Sequence, residues 1–210
     1  MTEMIAKLSK IPVVPVVVIK DAAKAVPLAE ALYKGGLPCA EITLRTPQAL
    51  EAIAAIKKAL PDMLLGAGTV LTTQQVDQAV AAGATFMVSP GLNPVTVQYC
   101  LDKGIPIVPG VCTPTEVEAG LSLGLDTFKF FPAEAAGGAN MVKALSGPYG
   151  NIKFMPTGGI TPSNLQSYLS IPSVFACGGS WMVKDDLIDS GNFAKIEELT
   201  REAVSLTQNA

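Results

Sequence analysis

Eight short apolar runs recur along the chain at nearly even spacing, and no other feature restricts its fold as strongly. They cover residues 13–19, 40–44, 63–70, 85–89, 105–111, 127–131, 152–156 and 174–177. Their centres lie roughly 20 to 26 residues apart, the length of one strand plus one helix. The stretches between them carry helical periodicity and punctuation. Residues 22–33 place Ala25, Leu28, Ala29 and Leu32 on one face, and Gly35-Gly36 stops them. Thr46 with Pro47 is expected to cap a helix whose stripe is Leu50, Ile53 and Ile56. Thr72 or Thr73 opens 74–82, Asn93-Pro94 opens 95–102, Thr113-Pro114 opens 115–123, and Thr161-Pro162 opens 163–169. Glycines 83, 104 and 124 end three of these, and 192–206 forms a closing amphipathic helix.

Eight strand–helix units predict an α/β protein whose parallel sheet closes into a (β/α)8 TIM barrel, in one domain spanning 1–210. The alternative is an open doubly wound sheet. The even unit length leaves no switch point, and no G-x-G-x-x-G follows the first run. Pro15 resists closure, because a barrel has no edge on which to place a proline; a bulge or a strand end at that position would resolve it.

Composition now excludes several chemistries. The 210 residues contain no histidine, so imidazole bases, His-ligated zinc and Ser-His-Asp triads are out. Fifteen Lys and Arg against 18 Asp and Glu give a net charge of −3, with no basic block, which argues against a nucleic-acid surface. Cys39, Cys100, Cys112 and Cys177 are far apart in sequence, so no C-x-x-C metal or redox pair exists, and a reduced, cytoplasmic chain is expected. Lys7 and Lys10 precede an apolar run as in a signal peptide, but Pro12 and Pro15 break it, no cleavage site follows, and no leader is expected. No run reaches the ~18 apolar residues of a membrane span.

Polar residues inside these runs mark the chemistry, expected at the C-terminal ends of the strands. In the sixth run Lys129 sits among Phe128, Phe130 and Phe131. A buried ammonium without a partner is driven toward the neutral amine, a nucleophile for carbonyl carbon; otherwise the lysine snorkels outward. In the second run, period two puts Glu41, Thr43 and Arg45 on one face and Ile42 and Leu44 on the other. With helices outside, the polar set faces the lumen. Glu41 beside Lys129 makes either an acid/base–nucleophile pair or a structural ion pair, and Arg45 offers a fork for a carboxylate. The seventh and eighth runs end in Gly158-Gly159 and Gly178-Gly179. Paired glycines there are either tight turns or loops that bring backbone N–H groups and helix N-termini to an anion. The set points to a sugar-acid phosphate, cleaved at a carbon–carbon bond through an imine and without a metal.

At these residues the chain resembles the 2-keto-3-deoxy-6-phosphogluconate (KDPG) and 4-hydroxy-2-oxoglutarate aldolase family of class I aldolases. The segments are Val13-Val14-Pro15-Val16, Glu41-Ile42-Thr43-Leu44-Arg45, Gly66-Ala67-Gly68-Thr69-Val70, Ser89-Pro90-Gly91, Phe128-Lys129-Phe130-Phe131-Pro132-Ala133-Glu134, Pro156-Thr157-Gly158-Gly159-Ile160 and Gly178-Gly179-Ser180-Trp181. They span nearly the whole chain. The resemblance implies Lys129 as the Schiff-base lysine and Glu41 as the acid/base. It implies Arg45 and Thr69 on the pyruvyl carboxylate, and Gly158, Gly159, Gly179 and Ser180 on the phosphate. It also implies Thr157 as the residue that selects the aldehyde face, a threonine matching the gluconate enzyme rather than its galactonate relative. A cytoplasmic homotrimer of the Entner–Doudoroff route, with no cofactor and no metal, follows from the same likeness. Outside it stand a phosphate-binding barrel isomerase or epimerase, with Glu41 as base, and a non-catalytic sugar-phosphate binder.

Overall fold

The computed structural model describes residues 3–207, apart from the side chain of Met4; the ends of the expected 1–210 domain lie outside them. Among the described residues the strands are β1 (Val13–Val17), β2 (Cys39–Thr43), β3 (Leu64–Gly68), β4 (Phe86–Val88), β5 (Ile107–Val108), β6 (Gly110–Val111), β7 (Thr127–Phe130), β8 (Lys153–Pro156) and β9 (Cys177–Gly179). All pair in parallel, in the orders β5-β4-β3-β2-β1-β9 and β6-β7-β8. Pro109, which has no N–H to give, separates β5 from β6. Isolated parallel bridges link Phe154 to Val174 and Thr157 to Gly178. The result is an α/β domain built on a strongly curled parallel sheet.

Helices α1 (Glu3–Leu8), α2 (Ala25–Lys34), α3 (Ala49–Ala59), α4 (Thr73–Ala82), α5 (Pro94–Asp102), α6 (Pro114–Ser122), α7 (Gly138–Ser146), α8 (Leu165–Leu169), α9 (Asp185–Asp189) and α10 (Phe193–Thr207) alternate with the strands. Three predicted caps form. Thr72 and Thr113 each close a capping box, with Gln75 and Glu116, and Asn93 accepts from Val95 N–H. Gly83 ends α4 in the left-handed region at φ 103°.

Other expectations are corrected. Thr46 does not cap α3: its hydroxyl donates to the Ile19 carbonyl, and the helix starts later, after Gln48. Residues 22–24 form a 3-10 turn capped by Asp21, with α2 only after it. The Thr161-Pro162 helix starts at Leu165. The last strand is Cys177–Gly179 and not 174–177, so Gly178 and Gly179 are strand residues and not a loop. Helices α1, α7 and α9 have no counterpart in the sequence pattern. Pro15 proves compatible with β1 without a bulge. The ladder to β9 covers Val13 to Pro15, and the ladder to β2 begins at Val16, just past the missing N–H.

Period two sorts the strands into an outer and an inner face. Val13, Ile42, Leu65, Met87, Phe128, Phe130 and Phe154 join the helices in one large core. On the inner face Val14, Cys39, Phe86, Val88, Val108 and Met155 make a second core, closed by Ile5 and Leu8 of α1. The helices therefore cover the outer face, as predicted for strand two. All four cysteines are free; Cys39, Cys100 and Cys177 are buried, and burial pushes the Cys177 thiol up to about 12. Among the described residues no helix is long and apolar enough to cross a membrane.

The outer core turns on Phe154, fully buried with its ring 6.5 Å from Phe128 and 6.3 Å from Phe130. Phe154→Ala is expected to cost about 3–5 kcal/mol, read as a lower denaturant midpoint.

Candidate active site

Lys129 and Glu41 meet on the inner face, above the apolar plug. Flanking Phe128 and Phe130 point outward, which forces Lys129 inward at the middle of β7. Its side chain is buried, as is that of Glu41 on β2, and Nζ donates to Glu41 Oε1 at 3.1 Å and lies 3.5 Å from Oε2. The ring of Phe131 lies 5.4 Å from Nζ. The premise of a partnerless ammonium is thus corrected: the amine has a carboxylate acceptor within hydrogen-bond reach.

Space for this pair comes from glycine. A Cβ on Gly68 would stand 2.3 Å from Glu41 Oε1 and 2.7 Å from its Cγ; one on Gly66 would meet the Phe86 ring at 2.3 Å. Strand β3 therefore yields its inner face to larger neighbours. The resemblance quotes Gly66-Ala67-Gly68, but no periodicity signals this role. Thr43, on the same face of β2, is spent on structure: its hydroxyl donates to the Val17 carbonyl at 2.9 Å.

Arg45 and Thr69 come together at the exposed ends of their strands, Arg45 Nε donating to Thr69 Oγ1 at 3.2 Å. Thr69 holds φ 58°, the non-glycine residue with positive φ among those described. A β-branched residue there is strained, and such strain clusters at functional sites. Thr157 follows β8. It is buried, its hydroxyl donates to the Met155 carbonyl at 3.3 Å, and a Cβ on Gly178 would stand 2.3 Å from its Oγ1.

A cleft of about 390 Å³ opens over these residues, lined by Val16, Arg45, Phe131, Thr157, Gly158, Gly159, Gly178, Ser180 and Lys184 among others. Lys129 and Glu41 lie beneath Thr157 and Phe131 rather than on its wall. Gly158 and Gly159 form a true turn, φ 102° and 80°; Glu134 N–H donates to the Gly158 carbonyl and Asn164 Nδ2 to that of Gly159. Gly179 is not on the wall: the Trp181 ring fills the place its Cβ would take, at 2.0 Å. Helices α8 and α9 start well beyond both glycine pairs, so the expected helix N-termini are not at the turns.

Comparison with known proteins settles the family. The family model described as "Aldolase: KDPG and KHG aldolase" matches residues 4–199. The chain belongs to the KDPG and KHG aldolase family. A Treponema pallidum (strain Nichols) protein named 2-dehydro-3-deoxy-phosphogluconate aldolase is 50% identical over 199 residues, 95% of each chain. A KDPG aldolase from Legionella pneumophila, solved with pyruvate captured at low pH as a covalent carbinolamine intermediate, is 46% identical with TM-score 0.92, over 95% of this chain and 97% of that one. The 2-keto-3-deoxy-6-phosphogluconate aldolase of Zymomonas mobilis ZM4 with 3-phosphoglycerate is 46% identical with TM-score 0.90, over 96% and 94%.

Two outcomes test the geometry. Glu41→Leu leaves a buried ammonium unpaired and is expected to cost about 3–5 kcal/mol, whereas Glu41→Leu with Lys129→Met recovers that loss, both read by urea denaturation. Gly68→Ala is expected to displace Glu41 from Lys129 and abolish turnover while circular dichroism stays that of the folded protein.

Proposed function

We propose that the protein is a Schiff-base aldolase that cleaves KDPG to pyruvate and glyceraldehyde 3-phosphate, and 4-hydroxy-2-oxoglutarate to pyruvate and glyoxylate. The observation that carries this is the buried Lys129–Glu41 contact of 3.1 Å under a cleft lined by Gly158, Gly159, Gly178 and Arg45. Aldolase family membership and the near-full-length KDPG aldolase relatives support the substrate.

The chemistry follows from the geometry. Glu41 takes a proton from the Lys129 ammonium, and the freed amine attacks the C2 carbonyl. The resulting carbinolamine loses its hydroxyl as water, with the proton supplied by Glu41, and leaves a protonated imine. The Glu41 carboxylate then accepts the proton of the C4 hydroxyl. The C3–C4 bond breaks, its electron pair moves into the imine to give the enamine on Lys129, and the aldehyde departs. Glu41 returns its proton to C3, and water hydrolyses the imine to release pyruvate and the amine. The protonated imine is the electron sink, so no step calls on a metal or cofactor.

In this reading Arg45, hydrogen-bonded to strained Thr69, holds the pyruvyl carboxylate. Gly158, Gly159 and Ser180, on the cleft wall, receive the phosphate, with Gly179 behind them in β9. Thr157, fixed between Met155 and Gly178, presents its side chain to the aldehyde and selects its face. The sheet is read as a closed (β/α)8 barrel: the bridges from Phe154 to Val174 and Thr157 to Gly178 support joining β8 to β9, and β5 with β6 count as one strand broken at Pro109. A cytoplasmic homotrimer belongs to the same reading.

Borohydride with pyruvate is the test. Wild type is expected to gain one reduced pyruvyl adduct, mapped by mass spectrometry to Lys129, and Lys129→Ala none. Glu41→Gln should still form the adduct slowly while KDPG turnover falls about 10²- to 10⁴-fold. Wild-type turnover by Lys129→Ala would refute the mechanism.

A further inference from the structure

The cleft wall carries a cation for which the fold has no use. Lys184 stands on it with Gly158, Gly159, Gly178 and Ser180. Among the described residues its ammonium has no ion pair and no hydrogen bond. The anion beside it is already committed: Asp185, also on the wall, pairs with Lys20 at 2.6 Å, and Lys20 reaches Asp189 at 3.4 Å. Asp185 shares Lys20 with Asp189, and the cationic side chains on the wall are those of Arg45 and Lys184. Arg45 is anchored by Thr69 through its Nε; Lys184 is held by nothing.

Its local position deepens the anomaly. Lys184 is the residue before α9, with extended backbone and no capping bond. Capping positions favour Ser, Thr, Asp or Asn, whose oxygens accept the first free N–H groups. A lysine accepts nothing, and its charge opposes the positive end of the helix. Asp185 and Asp186 in the first turn supply the complementary charge, so the helix itself draws nothing from Lys184. The turn that brings it there starts at Ser180, whose carbonyl accepts from Val183 N–H at 3.1 Å, so Lys184 is tethered one tight turn from Ser180.

We infer that Lys184 is a specificity-determining residue whose ammonium draws a phosphoryl group to the glycine-lined wall and so favours phosphorylated keto acids over shorter carboxylate-ended ones. This rests on the aldolase reading for the substrate. A phosphate monoester carries about −1.5 to −2 charges at neutral pH against −1 for a carboxylate, so an exposed lysine favours the former. Solvent limits the gain, and salt erodes it.

The test combines kinetics with anion binding. Lys184→Gln, Lys184→Glu and Lys184→Arg are assayed with KDPG and with 4-hydroxy-2-oxoglutarate, and inorganic phosphate is titrated against each protein by ³¹P NMR. Lys184→Gln is expected to raise KM for KDPG by about two- to five-fold at low salt, with a smaller rise for 4-hydroxy-2-oxoglutarate and kcat unmoved. Lys184→Glu should exceed it, Lys184→Arg should restore the wild-type value, and the phosphate dissociation constant should follow the same order. The difference should shrink as salt rises. Equal changes for both substrates, a loss in kcat alone, or an unchanged phosphate dissociation constant would overturn the role of Lys184. Should wild type trap no pyruvate on Lys129, the aldolase reading falls by itself, and the phosphate titration still decides this one.

Discussion

A buried ion pair is the constraint around which the rest of the molecule is arranged. Bringing an ammonium and a carboxylate out of water costs several kcal/mol per ion, and their mutual attraction repays this only in good geometry. Lys129 and Glu41 achieve it from strands 88 residues apart in sequence. Neither could be placed by a loop, because loops give no fixed inner face. Two strands of a curled sheet, with Phe128 and Phe130 outward on either side of Lys129 and Ala40 and Ile42 outward on either side of Glu41, aim the two side chains inward.

The inner face is graded from end to end. At one end Val14, Phe86, Val88 and Met155 meet Ile5 and Leu8 in an apolar plug. Above them lies the ion pair, then Thr157, and then the exposed Arg45, Gly159 and Ser180. Each layer fits because a neighbour gives way. Gly66 admits Phe86, Gly68 admits Glu41, Gly178 admits Thr157 and Gly179 admits Trp181. Close packing of this kind leaves few alternatives for the two charged side chains.

Much of this was legible in the letters. The eight apolar runs and their caps placed the strands, because period two and the Thr-Pro or Asn-Pro starts are local signals. A lysine inside a phenylalanine run and a glutamate alternating with Ile42 and Leu44 identified the inward pair for the same reason. What stayed hidden depends on partners distant in sequence. Gly178 and Gly179 read as a loop because glycine is rare in strands; they are strand residues because Thr157 and Trp181 occupy the room beside them. Thr46 looked like a cap, but its hydroxyl is claimed by Ile19 from another unit. Helix α7 opens on Gly137 with no side-chain cap, and α1 is six residues long, so neither carries the punctuation that marks the others. Lys184 was one surface lysine among several until the cleft gathered it beside Ser180.

The plug beneath the pair has a kinetic consequence. Ile5 and Leu8 pack across the far end, and the cleft over the pair opens at the Arg45 and Ser180 end. In the proposed imine chemistry the fragment bonded to Lys129 would sit at the back and the aldehyde half toward the opening. Departure would then be queued: under that chemistry the front fragment leaves before the rear one is hydrolysed free, and an aldehyde held too firmly at the threshold would imprison the enamine behind it.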